Sequence, residues 1–303
     1  MAKQKRRQVD GVLVVDKPAG GSSNQVLQQV KRLYNAEKAG HTGSLDPLAT
    51  GVLPLCLGEG TKVSQYLLES DKAYRADIVL GVCTDTADAE GEVIARAAVP
   101  ELEVSALHAV LEQFRGEISQ NPPAYSALKQ NGVPLYKLAR AGKEILPKWR
   151  TVTIRDIALV SWQSPVLVVD VTCSKGTYIR TLAEDIGKVL GCGAHIGALR
   201  RTKAGPFGLE HALTLEALQE TASRGLEALD ALPLPADQGS DWMPALTRSV
   251  EHTRRLRQGQ TVHLPGQAAA ELLRVYCTGE FVGIARVDAD SRLHAVRLLR
   301  YES

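Results

Sequence analysis

Residues 40–54, GHTGSLDPLATGVLP, constrain the fold more than any other stretch of the chain. They include three glycines and two prolines, together with one histidine and one carboxylate. Glycine admits backbone conformations closed to other residues and proline fixes φ, so this composition predicts a shaped loop rather than a helix or strand. The apolar residues Leu45, Leu48, Val52 and Leu53 predict that the loop is packed down onto the protein.

Asp46 is the sole acid of this stretch, and the proline that follows it favours an extended backbone at Asp46. A rigid loop that presents one carboxylate is a typical support for a catalytic group. The alternative from the residues alone is an ordinary Asp-Pro turn at the surface, because both residue types are common in turns.

Length and composition indicate a globular protein with one large and one small domain. The chain has 303 residues, of which 44% are hydrophobic. No apolar run approaches the roughly 20 residues that span a bilayer, and the basic N-terminus lacks the apolar core of a secretory signal, so no membrane association is expected. Five scattered cysteines without CxxC spacing predict reduced thiols and a cytoplasmic location.

Charge is strongly segregated along the chain although the formal net charge is only +2. Residues 129–156 hold seven Lys/Arg and two acids, and residues 175–203 hold six and two. Residues 85–117 reverse this with eight acids and two bases, and residues 210–241 hold seven acids and one Arg. The pattern predicts a basic face that binds a polyanion, with ordinary solvated helices as the alternative.

Hydrophobic periodicity predicts a mixture of strands and helices. Strands are expected at 11–16, 74–82, 151–161, 165–174, 196–203, 272–277, 280–287 and 293–299. Helices are expected after Ser22, from Gly60 to about 69, at 104–115, near 134–141, at 178–190 and over roughly 214–230. A Pro- and Gly-rich boundary then separates a domain of residues 1–240, with a basic insertion at about 119–150, from a small β domain of residues 241–303. A β module that only stabilises the chain end is the alternative for the latter.

Several chemistries lack their sequence signatures. The chain has no GxGxxG, Walker loop, HExxH or GxSxG, and its seven histidines show no metal-ligand spacing. We therefore expect side-chain chemistry with no cofactor and no metal. A glycoside hydrolase would need a second carboxylate beside Asp46, and none stands in the motif stretches.

Five further motifs accompany residues 40–54: Lys17-Pro18, Gly60-Thr61-Lys62, Lys72-Ala73-Tyr74-Arg75-Ala76, Gly176-Thr177-Tyr178-Ile179-Arg180 and Leu199-Arg200-Arg201-Thr202. In this order, over most of residues 10–210, they resemble the TruB family of tRNA pseudouridine synthases. The resemblance implies an α/β fold of the α+β type, with a mixed, largely antiparallel sheet and a small PUA-like RNA-binding β domain at the C-terminus. It also implies isomerisation of uridine 55 in the tRNA T loop by base flipping, with cleavage and re-formation of the glycosidic bond.

The same resemblance implies catalytic roles for three residues. Asp46 either attacks C1′ or removes the C2′ proton, Arg180 forms an ion pair with Asp46, and Tyr74 stacks on the uracil and assists movement of the C5 proton. Tyr178 would lie in the pocket beside them. From the residues alone, Tyr74 is equally a half-buried strand tyrosine, and Tyr178 and Arg180 are equally a helix-start residue and a surface arginine.

Further residues are implied to bind the substrate. His41 would enter the RNA loop where the flipped base leaves a gap, and Leu199 would line the pocket. Lys17 and Lys62 would support phosphates or loops, and Arg200, Arg201 and Lys203 would contact phosphates. A plain loop histidine and a core leucine are the alternatives for His41 and Leu199.

The implied partner is the T stem-loop of tRNA, bound by a monomer without an obligatory protein partner. Three rival functions stay open at this point. A non-catalytic RNA-binding or tRNA-folding protein would have lost Asp46 or Arg180, and both are present. A guide-RNA-dependent synthase usually has longer terminal regions than this chain, and a nucleoside glycosidase would release free uracil.

Overall fold

The computed structural model describes residues 5–126 and 128–300. The first four residues of the basic N-terminal stretch, residue 127 of the predicted insertion and the last three residues lie outside the described part.

The helices of the described chain are short to medium in length. They are α1 Ser23–Leu33, α2 Ser64–Leu68, α3 Val104–Glu112, α4 Leu135–Arg140, α5 Ile179–Val189, α6 Leu215–Ser223, α7 Leu226–Asp230 and α8 Val250–Arg257. Short 3-10 turns lie at Gly58–Lys62, Leu209–His211 and Ala236–Ser240.

The strands range from two residues to fourteen. They are β1 Gly11–Lys17, β2 Ala39–His41, β3 Thr50–Leu57, β4 Lys72–Leu80, β5 Val82–Thr84, β6 Val93–Arg96, β7 Gly116–Gln120, β8 Lys129–Gln130, β9 Val133–Pro134, β10 Arg150–Gln163, β11 Val166–Cys173, β12 Ala194–Ala204, β13 Phe207–Gly208, β14 Ala245–Thr247, β15 Val262–His263, β16 Ala270–Cys277, β17 Glu280–Val287 and β18 Arg292–Leu298.

The chain divides into two compact units, and the first consists of residues 1–46, 51–69 and 204–303. In its N-terminal part β1 and β2 each pair antiparallel with β3. Helix α1 begins at a capping box, in which Ser22 accepts from the Gln25 amide and the Gln25 side chain accepts from the Ser22 amide. Its apolar residues Val26, Leu27 and Val30 are buried against β1 and β3 residues in one core.

The expectation that residues 40–54 form only a loop is wrong at both ends of the stretch. β2 reaches His41 and β3 begins at Thr50, so the irregular part is limited to residues 42–49. Leu53 and Leu55 enter the α1 core, whereas Val52 and Cys56 enter a second core on the other face, and burial on both faces favours a central strand. The segment therefore runs between two anchored strand ends.

The C-terminal part of this unit forms the predicted small β domain. Its five described strands lie in the order β14-β16-β17-β18-β15, and only the β14–β16 pairing is parallel. Helix α8 packs on the sheet through Leu256. A second apolar cluster joins Phe281, Ile284 and Leu299 of this module to Val63 and Tyr66 near α2. The module therefore shares a core with residues outside 241–303.

The second unit comprises residues 47–50 and 70–203. Its main strands lie in the order β12-β4-β11-β10-β7, with antiparallel pairing from β4 to β7. Alternate residues of β11 (Leu167, Val169, Val171 and Cys173) are buried, as the period-two pattern of the sequence predicts. Together with the helices, this confirms the predicted mixed α/β class with a largely antiparallel sheet.

The helix expected over roughly 214–230 is two helices. α6 ends at Ser223 and α7 begins at Leu226, and between them Gly225 has φ +111°. A residue with a Cβ rarely adopts this conformation, so the glycine breaks what the apolar pattern alone indicates as one continuous element.

Candidate active site

The loop before Asp46 is fixed by hydrogen bonds inside the first unit. The hydroxyl of Ser23, on α1, accepts from the Leu45 amide at 2.7 Å and donates to the Leu45 carbonyl at 3.1 Å. The Thr42 amide donates to the Pro54 carbonyl at 3.1 Å, where β3 runs past the loop. Leu45 itself is buried, so the half-buried Asp46 follows an anchored residue. The arrangement fits a carboxylate held in a defined place.

Two other predicted residues of this unit lie on the strands that flank the loop. His41 ends β2 and is half-buried. Lys17 ends β1, is 0% exposed, and donates from Nζ to the Pro18 carbonyl at 2.9 Å. Burial of this kind favours a structural role for Lys17 over direct phosphate contact, because a phosphate ligand must be reachable from solvent.

Lys62 lies at the joint between the 3-10 turn Gly58–Lys62 and the C-terminal sheet. Its Nζ donates to Glu59 Oε2 at 2.6 Å and to the Leu298 carbonyl at 3.0 Å. The amide of Arg300 also donates to the Glu59 carboxylate. These contacts give Lys62 a role in holding the C-terminal module, and its role as a phosphate contact stays a prediction.

The second unit holds the remaining predicted residues. Tyr74 is half-buried on β4, opposite Val171 of β11. On β12, Leu199 is buried and Arg200 is half-buried with Nη1 donating to the Thr50 hydroxyl at 3.3 Å. Arg201 is 1% exposed, so its burial, like that of Lys17, favours a structural role.

Tyr178 is the N-cap residue of α5 and is held by groups from β7 and β10. Its amide donates to Gln120 Oε1 at 3.0 Å, and Gln120 Nε2 donates to its carbonyl at 3.2 Å. The guanidinium of Arg150 lies 5.2 Å from the centre of its ring. Tyr178 is therefore fixed at both its backbone and its ring.

Arg180, two residues later, is buried at 4% exposure rather than at the surface. Nη1 donates to the Thr86 carbonyl and Nη2 to the Tyr125 carbonyl, both at 2.9 Å. Nη1 also lies 3.6 Å from the carboxylate of Asp88. Sequence reasoning gives Arg180 only a pairing with Asp46, which stays a prediction, and it misses the pairing with Asp88.

Asp88 uses both of its carboxylate oxygens. Oδ2 faces Arg180, and Oδ1 accepts from the Thr86 hydroxyl at 2.6 Å and from the Glu90 amide at 3.1 Å. Composition alone indicates no more than a polar connection for residues 84–88, TDTAD. The signal that distinguishes them is a second acid two residues after a threonine, a spacing that suits local side-chain hydrogen bonds in a turn.

Two ionisable groups of the second unit are perturbed by burial. Glu184, one turn after Arg180 on α5, has a raised pKa, chiefly because it is desolvated. Burial, and then the charge of Arg201, lowers the pKa of Lys72 to about 8. Both groups lie close to predicted site residues in sequence and in charge interaction, which is common near functional sites.

A cavity of about 280 Å³ opens beside the start of α5. It is lined by residues of 85–87 and 121–124 and by Trp149, Thr181, Glu184, Asp185 and Lys188. Three carboxylates against one ammonium make it a poor site for a phosphate. The cavity is therefore distinct in charge from a nucleotide-backbone site.

Three further expectations meet the following observations. Across residues 5–126 and 128–300, no helix is both long and apolar enough to cross a membrane. Within that same part, no three His, Cys, Asp or Glu side chains cluster in a way that suits a metal ion. The five cysteines are free thiols. The expectations about membrane, metal and cofactor stay predictions.

The class of protein follows from three family models that together match most of the chain. Residues 31–179 match the N-terminal domain of TruB family pseudouridylate synthase. Residues 180–239 match the tRNA pseudouridylate synthase B C-terminal domain, and residues 244–299 match pseudouridine synthase II TruB, C-terminal.

Full-length relatives agree with the family models. The chain is 53% identical over 300 residues to the tRNA pseudouridine synthase B of Pseudomonas aeruginosa (strain UCBPP-PA14), with 98% of each chain covered. It is 52% identical over 302 residues to that of Stutzerimonas stutzeri (strain A1501), with 99% of each covered. The chain therefore belongs to the TruB family of pseudouridylate synthases, and the predicted isomerase class is confirmed.

A solved structure shows the same fold at lower identity. In the crystal structure of a Cbf5–Nop10–Gar1 complex, the matching chain has a TM-score of 0.72 and 26% identity, covering 97% of this protein and 84% of that chain. The pseudouridine synthase fold predicted from the motifs is thereby confirmed.

Proposed function

We propose that this protein isomerises uridine 55 in the T loop of tRNA to pseudouridine. The observation that carries the proposal is the 53% identity, over nearly the whole chain, to a tRNA pseudouridine synthase B. Asp46, Tyr74 and Arg180 stand in intact motifs, and the loop before Asp46 is anchored by Ser23, which supports a catalytic rather than a turn-forming role.

The reaction breaks the N1–C1′ bond, turns the uracil over and joins C5 to C1′. The C5 proton is lost and N1 gains one, so the product has the mass of the substrate. Asp46 starts the reaction as a nucleophile at C1′ or as a base at C2′. Arg180 acts as its charge partner, and Tyr74 stacks on the extruded base and assists removal of the C5 proton.

Substrate selection rests on the shape of the stem-loop and on phosphate contacts. The insertion supplies exposed cations at Lys129, Lys137 and Lys143. Helix α8 of the C-terminal module supplies Arg254, Arg255 and Arg257. Phosphate contacts add affinity without reading bases, so we assign both segments to binding rather than to the choice of uridine.

The protein acts in the cytoplasm as a monomer without a guide RNA. Identity of 53% to a stand-alone tRNA synthase by name, against 26% to the chain of a multi-protein complex, favours this over the guide-dependent alternative. The presence of Asp46 and Arg180 argues against a non-catalytic RNA-binding protein.

The test is single-turnover conversion with purified protein alone. A T stem-loop RNA and a whole tRNA transcript are incubated with the protein, and pseudouridine is mapped by a chemical label that stops primer extension. We expect one labelled position, in the T loop, and no free uracil. Release of uracil would indicate a glycosidase, and binding without any label would indicate a non-catalytic protein; either result overturns the proposal.

A further inference from the structure

The basic insertion leaves and re-enters the sheet at one point. β7 ends at Gln120 and β10 begins at Arg150, and these two residues are Cα partners in the antiparallel ladder. The insertion is thus a long excursion whose two ends are neighbours on paired strands. Any residue that contacts both ends is sensitive to how the insertion is seated.

Tyr178 contacts both ends. The Gln120 amide donates to its carbonyl and accepts from its N–H, so one side chain satisfies the backbone on both sides of Tyr178. Gln120 is 0% exposed, which shields these two hydrogen bonds from water. The backbone of Tyr178 is therefore positioned by the last residue before the insertion.

Arg150 positions the ring and the preceding turn. Its guanidinium lies 5.2 Å from the Tyr178 ring centre, within the range of a cation–π contact, and Nη1 donates to the Gly176 carbonyl at 3.3 Å. A planar guanidinium can stack and donate at the same time, which an ammonium does less well. The first residue after the insertion therefore fixes the tyrosine side chain.

The start of the insertion also contacts the residues that follow Tyr178. The Tyr125 carbonyl accepts from Arg180 Nη2 at 2.9 Å, and the Asn121 carbonyl accepts from the Thr181 hydroxyl at 3.4 Å. The backbone leading into α5 is thus contacted at Tyr178, Arg180 and Thr181 by residues at the ends of one insertion.

We propose that Gln120 and Arg150 are positioning residues for pseudouridine formation. They orient Tyr178 in the base-binding pocket and link the seating of the RNA-binding insertion to the Tyr178–Arg180 segment. The inference rests on the proposed function, in which Tyr178 lines that pocket. A displacement of about 1 Å of a group that orients a substrate costs about 100-fold in rate, so disrupting either interaction with Tyr178 is expected to slow the chemical step.

Arg150→Met tests the ring contact, with Arg115→Met as the matched control. Arg115 is an arginine of the same unit that pairs with Glu112 and Asp156, away from Tyr178. At saturating T stem-loop RNA, R150M is expected to lower the single-turnover rate about 10- to 100-fold, and R115M by less than about twofold. Arg150→Lys is expected to restore affinity but only part of the rate.

A double-mutant cycle separates action through Tyr178 from a general structural effect. In a Tyr178→Leu background R150M is expected to slow the reaction by less than about threefold, because the residue it orients is already gone. Gln120→Met is expected to slow the same step, and its combination with R150M to cost less than the product of the two. Circular dichroism and Tm confirm that each variant is folded.

The outcomes distinguish the two proposals. If the wild type forms no pseudouridine, the proposed function fails. If the wild type is active but R150M turns over like R115M, or its effect multiplies fully with that of Tyr178→Leu, Arg150 does not act through Tyr178 and the inference is overturned.

Discussion

Arg180 Nη1 lies 3.6 Å from the carboxylate of Asp88, and each side chain is only 5% exposed. The pair is completed by hydrogen bonds from Thr86 and Glu90 to Asp88 and from Arg180 to two backbone carbonyls. Removing one partner of such a buried pair is costly, because the other charge loses its compensation while it stays out of water. The position of Arg180 is therefore expected to depend on Asp88.

Asp88→Asn is expected to lower both stability and turnover. The amide keeps the size of the side chain, but it leaves Arg180 without the carboxylate at 3.6 Å. We expect Tm to fall by about 2–4 °C for each kcal/mol of stability removed and the single-turnover rate to fall about tenfold or more. Asp185→Asn, which removes an acid of α5 that pairs with Lys188, is the control and should change neither strongly. An unchanged rate in D88N would show that Arg180 holds its place without Asp88.

Asp46→Asn should abolish turnover while RNA binding persists. The substitution keeps the shape of the side chain but removes the charge and the nucleophilic or basic oxygen on which the proposed reaction depends. Loss of a central catalytic group in serine proteases costs about 10⁴ to 10⁶ in rate, which sets the expected scale. Single-turnover rates and dissociation constants measured on the same T stem-loop RNA separate the two effects. Isomerisation within about tenfold of the wild type would reduce Asp46 to a loop residue.

Glu59→Gln should loosen the attachment of the C-terminal sheet in a pH-dependent way. Burial raises the pKa of Glu59, but hydrogen bonds from Lys62 and the Arg300 amide and the charge of Lys62 lower it further, so the net pKa lies below its usual value of 4.5. A carboxyl with a lowered folded-state pKa stabilises the protein above its unfolded-state pKa, and this stabilisation is lost as pH falls through the folded-state pKa.

We therefore expect E59Q to melt a few degrees below the wild type at pH 7, with the difference shrinking below pH 4.5. Glu251→Gln is the control, since Glu251 also pairs with a nearby cation, Arg254, but at an exposed position on α8. A difference in Tm that stays constant from pH 7 to pH 3 would mean that the Glu59 charge does not hold the joint.

Sequence patterns predict the regular elements of this protein better than they predict its contacts. The strand expected at 280–287 coincides with β17, because alternating burial and a Thr-Gly turn mark it in the sequence. The loop expected at 40–54 is wrong at its ends, because Gly51 and Pro54 lie inside β3, where antiparallel pairing with β1 overrides their local preference. Local composition therefore identifies the loop but not its limits.

The site is predictable only as far as its motifs extend. Tyr178 and Arg180 are recognisable from Gly-Thr-Tyr-Ile-Arg, whereas Asp88, Gln120 and Arg150 stand in no motif and reach their partners only through the fold. Gln120, for example, lies 58 positions from the tyrosine that it holds. Burial is equally hidden, since nothing in Leu-Arg-Arg-Thr distinguishes the half-buried Arg200 from the buried Arg201 except the alternation of faces along β12.

Neutralising the insertion should weaken RNA binding without slowing bound-state chemistry. Lys129, Lys137, Arg140 and Lys143 are exposed side chains of the insertion, whereas Tyr178 is held by the residues at its two ends. Replacing all four with glutamine leaves phosphates without a cation, and each such phosphate should reduce the slope of log K against log salt by about 0.7 to 0.9. The affinity deficit is therefore largest at low salt and narrows as salt rises. The single-turnover rate at saturating RNA should stay close to that of the wild type.

The control for this variant must carry the same change in net charge at another place on the surface. Arg32, Arg96, Arg155 and Arg224 are exposed and lie outside both the insertion and the C-terminal module, so replacing these four with glutamine provides the match. Because salt dependence reports the number of phosphates that a protein neutralises, a local role for the insertion requires the slope to fall in the first variant and not in the second. Equal falls in affinity and slope in the two variants would mean that overall charge, and not the insertion, binds the RNA.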